Sequence, residues 1–509
     1  MSSLLPHDAA RSKLRVLIMR ADRARFGASV LVLLCTSAPP ALLLGGLSFL
    51  GLLLRTLLLA AHRAILIRMV PPPPSPSSLT LRTYLRAHAP PLLATLGGLC
   101  ALALLASLDA HALPLPPPFL RASADCPAPH ASLAELCALL VGLAAVAQYA
   151  ASPSLRTPRW PLLLQDVYLR LRPHALAAAA DGLRLAGGCL ALALCIRAAR
   201  HSLAPPLEPR CDAAEGAEGA VAASGLLLLR GAAFLFSVRL SFIGATVAYT
   251  QPLSFEPSRV GAEEDVLQLA LEAHDKPLTQ HLAFLDVFEL SEMSPTRRSA
   301  LYTSRRGAGW PKLLNSLLRP IDAMTLALEH ARKQPSQPIV RMAPGAGKLW
   351  RLLASWRHIA VCSQMFGASQ LVIWATQASA NLVAASIRED VLGTVQLNDS
   401  LEKTLGTLLR CLLALDGYVG QGATVGVPSA MTRLRLGSQP RSQQDAALLV
   451  SEAMPAYLRA VGAQRATALE AALQRCVYLL VHTFQDHISR VRLPLELQTK
   501  LDLFIRGIA

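Results

Sequence analysis

Apolar residues fill the first half of the chain in long runs, and short loops with charged residues separate these runs. A helix needs about 20 apolar residues to cross the roughly 30 Å hydrocarbon core of a bilayer. Runs of this kind occupy residues 27–70, 90–108, 133–151, 174–196 and 224–249. The pattern therefore predicts that the first half of the chain spans a membrane several times.

The first run is too long for one span, and helix-breaking residues divide it. Pro39 and Pro40 interrupt it, and a glycine pair follows at 45–46. Glycine adopts turn conformations that other residues avoid. The pattern predicts a tight helical hairpin with spans at residues 27–46 and 49–69, which brings the number of predicted spans to six.

The basic residues predict which side each loop occupies. Short loops rich in lysine and arginine remain in the cytosol. With six spans, the basic segments 1–26, 70–88 and 152–173 share one side, and the more acidic loops 109–130 and 198–223 share the other. A single first span would place the basic tail and the first basic loop on opposite sides. The charge pattern therefore favours six spans with both termini in the cytosol.

The second half of the chain has helical periodicity, and no stretch alternates as a β-strand does. Ser294 and Pro295 have the residue types of a helix N-cap and first helical position. Helices are predicted over residues 263–274, 278–292, 313–333 and 464–492.

The chain is thus predicted to be all-α, a polytopic membrane protein with six transmembrane helices followed by a cytosolic α-helical domain. Its predicted segments are a basic tail (1–26), a transmembrane domain (27–249), a membrane-proximal helical region (250–333), a linker (334–347) and a C-terminal α-helical domain (348–509).

Composition agrees with a membrane protein that has a basic cytosolic side. Hydrophobic residues make up 53% of the chain, the mean hydropathy is +0.40 and the formal net charge is +16. A basic balance is compatible with nucleic-acid binding. In a membrane protein it more often sets topology and attracts anionic headgroups. We therefore expect lipid as a partner and no direct contact with nucleic acid.

No motif in the sequence predicts catalysis, a metal or a cofactor. Residues 344–348, PGAGK, lack the flanking residues of a phosphate-binding loop. His482 and His487 are five positions apart, whereas a zinc-binding helix places two histidines four apart. The sequence therefore predicts a protein that is not an enzyme, with no cofactor, no metal and no small-molecule substrate.

Charged residues inside predicted spans admit two interpretations. They are Asp181 and Arg184 in the fifth span and Arg230 and Arg239 in the sixth. Charges at membrane depth often mark a substrate path, which would make the protein a small-solute transporter. Alternatively, Asp181 and Arg239, which lie at comparable depth on antiparallel spans, form an ion pair that fixes helix packing. We favour the packing role, because the spans lack the paired broken helices of transporters.

Stretches of the C-terminal half resemble the nuclear division cycle family of transmembrane nucleoporins. Residues 283–298, AFLDVFELSEMSPTRR, are similar to the region just past the family's last span, and Trp310 follows after a loop as in the family. Residues 381–396, NLVAASIREDVLGTVQ, are similar to a second family stretch, and residues 476–488 to its last helix. The linker at 334–347 is shorter than in animal members.

This resemblance implies a structural protein. Such proteins anchor the nuclear pore complex in the pore membrane of the nuclear envelope, support pore assembly and bind inner-ring scaffold nucleoporins. The expected partners are nuclear membrane lipids, scaffold nucleoporins and other membrane nucleoporins. The residues expected at partner or membrane-proximal contacts are Phe284, Asp286, Ser294, Pro295, Arg297, Arg298, Trp310, Asn381, Glu389, Asp390, Gly393 and Gln396.

Cys126 and Cys211 fall in the two predicted outer loops. In an oxidising compartment they would be able to pair, and otherwise they remain free thiols. The residues themselves leave both alternatives open. The resemblance places these loops in the perinuclear space, which permits a disulfide between them.

Overall fold

The computed structural model is helical, without a β-strand, throughout the residues that it describes. These are residues 5–44, 49–68, 130–151, 160, 167–203, 217–255, 266–303, 309–333, 366–424 and 465–507. The chain divides into two compact units. The N-terminal unit contains the described residues from Ile18 to Gln251, and the C-terminal unit contains those from Pro252 onwards together with the first residues of the first helix.

The described helices of the first half follow the predicted runs. They are α1 (Leu5–Leu44), α2 (Phe49–Arg68), α3 (His130–Ala151), α4 (Val167–Leu203) and α5 (Ala217–Tyr249). The predicted third span, at 90–108, lies outside the described residues. Among the described residues, two segments are long and apolar enough to cross a membrane, Val167–Ala199 and Ser224–Tyr249, and they coincide with the predicted fifth and sixth spans. A shorter apolar segment, Leu136–Tyr149, lies in α3.

The first helix differs from its prediction. The sequence pattern predicts a basic tail at 1–26 and an apolar run that Pro39 and Pro40 interrupt, but α1 is continuous from Leu5 to Leu44. No proline or capping glycine lies between Arg20 and Ala38 to end the helix. Each proline removes one backbone hydrogen bond, and these two lie in the last turns, where few hydrogen bonds remain to be lost.

Helices α4 and α5 pack side by side in opposite directions. Arg170 near the start of α4 donates from Nη2 to Thr250 Oγ1, just after the end of α5, at 2.7 Å. Midway along, Gly182 lies so close to α5 that a Cβ there would be 3.0 Å from the Ala232 carbonyl oxygen. Small residues allow such close helix approach in membranes. Helix α3 covers both with buried residues at four-residue spacing, Leu133, Cys137, Val141 and Ala145.

The C-terminal unit is a helical bundle. Its described elements are α6 (Val266–Leu271), α7 (Pro277–Met293), α8 (Pro295–Thr303), α9 (Trp310–Lys333), α10 (Ser369–Glu389), α11 (Thr394–Leu397), α12 (Ser400–Thr424), α13 (465–483), a 3₁₀ turn (Ile488–Arg490) and α14 (Leu495–Ile505). Helix α7 packs on α10, α9 packs on α10 and α12, and α8 contacts α7 and α10. Aromatic side chains fill the centre, with Trp310 and Trp374 fully buried.

Two boundaries in this unit differ from the predictions. The helix predicted over 464–492 ends at residue 483, although its apolar stripe continues through buried Phe484 and Ile488. There the His487 N–H bonds to the Phe484 carbonyl at 2.8 Å, a three-residue step that tightens the turn. Pro494 then disfavours helix in the residue before it. Likewise α6 ends at Leu271, ahead of Pro277 and before the predicted end at 274, whereas residues 263–265 lie outside the described part of the chain.

Candidate functional site

The two family-like stretches lie together where α7, α8 and α10 pack. Ser294 separates α7 from α8, because its backbone is extended, with φ −127° and ψ 90°. Its N–H still bonds to the Leu290 carbonyl at 3.3 Å, and its carbonyl accepts the Arg298 N–H at 3.0 Å. Pro295 begins α8. The next turn therefore carries Arg297 and Arg298 to the junction of the three helices.

Arg297 is held by a buried carboxylate. Asp286 is 1% exposed, and its two oxygens accept Arg297 Nη1 at 3.0 Å and Nη2 at 2.9 Å. The same carboxylate accepts the Phe255 N–H at 2.8 Å, and Arg297 Nη2 donates to the Phe255 carbonyl at 3.2 Å. A forked guanidinium–carboxylate pair of this kind is strong and directional. It ties the segment that follows α5 in the chain to α7 and α8.

Arg298 forms the second pair and joins α8 to α10. Its Nε lies 2.9 Å from Glu389 Oε2 and its Nη2 2.5 Å from Glu389 Oε1. Its Nη1 donates to the Ser291 carbonyl at 2.9 Å. The bond to Glu389 raises the pKa of Arg298. Nearby, Asn381 Nδ2 donates to Ser291 Oγ at 3.3 Å, which joins α10 directly to α7.

Both arginines are therefore engaged inside the unit. The sequence analysis expects them at a partner or membrane contact, and the structure places their charged groups in ion pairs within the bundle. Phe284, another predicted contact residue, is fully buried in the same core.

Two aromatic side chains close the other side of this junction. Tyr302 donates its hydroxyl to the Leu382 carbonyl at 2.6 Å, and Trp310 Nε1 donates to Ser400 Oγ at 2.8 Å. Their ring centroids are 5.3 Å apart. Sequence reasoning identified Trp310 but not Tyr302, Ser291 or Ser400. Tyr302 is the penultimate residue of the mostly polar helix α8, and the sequence pattern alone did not distinguish it from a surface tyrosine.

The remaining predicted residues form the turn after α10. Asp390 accepts the Val395 N–H at 2.7 Å, and Gly393 has a φ of 65°, which glycine adopts readily. Gln396 is exposed, and its carbonyl accepts the Asp399 N–H at 3.2 Å. The two acidic residues of the stretch, Glu389 and Asp390, thus make bonds within the unit.

Glu289, one turn after Asp286 on α7, has an altered acidity. Burial and, to a lesser extent, the nearby Asp286 charge raise its pKa to about 7, against the opposing effect of Arg297. Its Oε1 is buried and has no hydrogen-bond partner among the described residues. Two carboxylates one helical turn apart therefore share the positive charge of Arg297, and Asp286 takes the hydrogen bonds.

In the N-terminal unit, the charges predicted at membrane depth do not all share one environment. Arg239 Nη1 on α5 forms an ion pair with Asp181 Oδ2 on α4. Arg184 is exposed and Arg230 is partly buried. The pair joins the two apolar helices directly, as a packing role requires. Cys126 and Cys211 lie outside the described residues.

A polar layer that the sequence analysis missed joins the ends of several helices in the same unit. Asp22 on α1 pairs with Arg63 on α2 and accepts the Tyr249 hydroxyl of α5 at 3.0 Å. Arg25 donates to the Gln251 carbonyl at 2.7 Å. Beside them, His62 Nδ1 lies 3.0 Å from the Tyr149 hydroxyl at the end of α3.

Within the described residues, no group of three or more His, Cys, Asp or Glu side chains is arranged to hold a metal ion. We refer to the Asp286–Arg297 and Arg298–Glu389 ion pairs and the Asn381–Ser291 hydrogen bond as the C-terminal cluster; these bonds join α7, α8 and α10.

One comparison with known proteins finds a match, and it covers part of the chain. No curated protein matches the chain. Residues 328–502 match a family model described as "Nucleoporin protein Ndc1-Nup". The matched region is roughly a third of the chain and contains α10 to α13 with the stretches 381–396 and 476–488, whereas 283–298 precedes it. This match supports a transmembrane nucleoporin of the Ndc1-Nup family.

Proposed function

We propose that this chain anchors the nuclear pore complex in the pore membrane and supports pore assembly by binding scaffold nucleoporins. The observation that carries the proposal is the family match to residues 328–502 on a chain with two helices long and apolar enough to cross a membrane. A protein with apolar spans and a separate helical unit has the two parts that an anchor needs. No observation favours the solute-transporter alternative.

The proposed topology has six spans and both termini on the cytosolic side. The ion pair between Asp22 and Arg63 supports it, because these residues lie 41 positions apart in the two segments of the predicted hairpin. One long first span would separate them by the thickness of the membrane. In the six-span topology Asp22, Arg63 and Tyr249 all lie at cytosolic ends, where the polar layer brings them together.

The C-terminal unit is the proposed site for scaffold nucleoporins, and the Arg298–Glu389 pair supports that role by fixing α8 against α10. The alternative is that the Arg298 guanidinium itself contacts the partner. A charge swap separates these two roles. Arg298→Glu removes the pair, and Arg298→Glu with Glu389→Arg restores it with reversed polarity.

Localisation tests the proposal. The full chain, tagged at either end, is expected to give a punctate nuclear rim, and both tags are expected to be digested by protease in cells with a permeabilised plasma membrane. Diffuse staining of other membranes, or tags protected on opposite sides, would contradict the anchor model.

The charge swap is read in the same assay. Loss of rim puncta in Arg298→Glu and recovery in the double variant would assign the pair a positioning role. Loss in both variants, with the double variant as heat-stable as the wild type, would assign the guanidinium to the partner contact.

A further inference from the structure

The turn between α10 and α11 presents aliphatic side chains to the outside. The Gly393 N–H bonds to the Asp390 carbonyl at 3.2 Å, which closes a four-residue turn with Val391 and Leu392 at its tip. Val391 is 90% exposed and Leu392 about half exposed. Leu397, at the end of α11, is 80% exposed. We refer to Val391, Leu392 and Leu397 as the aliphatic tip.

The residue types at the two central positions of this turn are unusual for a tight turn. Central turn positions usually hold glycine, proline, asparagine, aspartate or serine, each for a conformational reason. Two β-branched or branched aliphatic residues at the centre gain nothing locally and expose apolar surface to water. Contiguous exposed apolar groups of this kind mark an interaction site.

The tip is also held in place. Asp390 accepts the Val395 N–H at 2.7 Å, and the Leu397 N–H bonds to the Gly393 carbonyl at 3.0 Å. Glu389 is paired with Arg298. Because both carboxylates before the tip make bonds within the unit, the exposed charge next to it on α10 is that of Arg388. The aliphatic tip is thus exposed on a turn whose backbone is held by hydrogen bonds.

We propose that the aliphatic tip inserts into the headgroup region of the membrane in which the chain resides, a proposal that rests on the membrane-anchor function. A protein partner is the weaker alternative, because protein interfaces draw most of their energy from tryptophan, tyrosine and arginine, whereas leucine and valine are under-represented there. Aliphatic side chains beside an arginine suit an interface where the arginine extends to lipid phosphates.

The bonds of the C-terminal cluster connect the tip to the chain that leaves the last apolar helix. Helix α5 ends at Tyr249, and Phe255 is bonded to Asp286 and Arg297. The neighbouring Arg298 holds Glu389, two residues before the tip. A continuous set of hydrogen bonds and ion pairs therefore links the tip to a residue that follows the proposed sixth span closely in sequence.

Site-specific photo-crosslinking in the full chain tests this inference. A diazirine amino acid replaces Val391, the protein is expressed in its own membranes, and adducts are identified by mass spectrometry after irradiation. The control position is Leu495 at the start of α14, in the same unit and 83% exposed. We expect the yield of lipid adducts at position 391 to be several-fold higher than at 495. Both substitutions are at exposed side chains and leave the core unchanged.

Other outcomes overturn the inference. Adducts at position 391 that are mainly protein would assign the tip to a protein partner, and equal lipid yields at 391 and 495 would show no specific insertion. A second probe at Leu397 is expected to lose most of its lipid adducts in the Val391→Asp, Leu392→Asp variant, and an unchanged yield also contradicts the inference. Rim staining of the same labelled chain is scored separately, so that failure of the tip and failure of the pore anchor are distinguished.

Discussion

Leucine-rich helices in the two units differ in how far their leucines are buried. In α12 of the C-terminal unit the leucines follow one face, and Leu405, Leu408 and Leu412 are fully buried. In α4 of the N-terminal unit leucines point in several directions, Leu176 and Leu183 are exposed, and only 17% of the most apolar window is buried. A helix that is apolar on all sides suits either a deep core or a bilayer. The low burial of α4 favours the bilayer.

The two units also use ion pairs differently. In the C-terminal unit, Asp286 is enclosed by protein and bonded to a guanidinium and a backbone N–H, so removal of one partner leaves buried groups unsatisfied. In the N-terminal unit, the Asp181–Arg239 pair is partly exposed at the side of two apolar helices. We therefore expect the two ion pairs to contribute different amounts to the free energy of unfolding. The cost of removing one charged group depends on what then surrounds its former partner.

The largest effect is expected for Asp286→Ala. The substitution leaves the Arg297 guanidinium and the Phe255 N–H without their acceptor, and breaking a buried pair typically costs about 3 kcal/mol. The measurement is unfolding of the purified chain in detergent, followed by tryptophan fluorescence, since Trp310 and Trp374 are buried in this unit. Asp275→Asn, at an exposed position, is the control. Equal stability of the two variants would remove the structural role assigned to Asp286.

The second prediction concerns pH and Glu289. Its pKa in the folded chain is about 7, above the ordinary value near 4.5, so the folded state retains a proton that the unfolded state releases. Stability is therefore lost as pH rises from about 4.5 to 7 and stays lower above 7. Glu289→Gln is expected to be more stable than the wild type by about 1–2 kcal/mol at pH 8, after allowance for partial exposure, and equal to it near pH 4.5.

The measurement is the difference between the two stability–pH curves. Burial lowers the pKa of His281 to about 4, so this histidine removes stability as pH falls below about 6.5. His281 is present in both proteins and cancels in the difference. Parallel curves for wild type and variant would show that Glu289 does not titrate in this range.

A smaller effect is expected for the ion pair of the N-terminal unit. In a double-mutant cycle with Asp181→Ala and Arg239→Ala, we expect a coupling free energy of about 1 kcal/mol, since polar contacts between membrane helices are modest. Unfolding in mixed micelles measures it. Arg184 is at an exposed position on the same helix as Asp181. The free-energy changes of Arg184→Ala and Arg239→Ala are therefore expected to be additive. A coupling as large as the Asp286 effect would contradict the contrast between the units.

The smallest effect is expected for Ser294→Ala, at under about 0.5 kcal/mol. A serine that caps a backbone N–H would contribute about 1 kcal/mol, but Ser294 Oγ lies 3.5 Å from Thr296 Oγ1. Ser291→Ala is the matched comparison, because Ser291 Oγ is buried and bonds to the Phe288 carbonyl at 2.7 Å and to Asn381. A loss for Ser294→Ala equal to that for Ser291→Ala would restore the capping role.

Local patterns predicted most helix positions. Helix α7 occupies Pro277–Met293 against a prediction of 278–292, and α2 occupies Phe49–Arg68 against 49–69. These agreements follow because apolar periodicity and proline act over one or two turns, within a few residues of the boundary they define. The last long helix was overextended for the same reason, since an apolar stripe continues past residue 483 even though the backbone turns.

The sequence by itself indicated apolar helices that are long enough to cross a membrane, the helical class and the similarity to the Ndc1-Nup family, because each depends on residues that lie close together in the chain. Tertiary structure decided which distant residues the polar side chains of the C-terminal unit contact. Arg298 meets Glu389 across 91 positions and Trp310 meets Ser400 across 90. No local pattern records such a distance, because the free energy of a charged side chain depends on the partners and the solvent that folding brings to it.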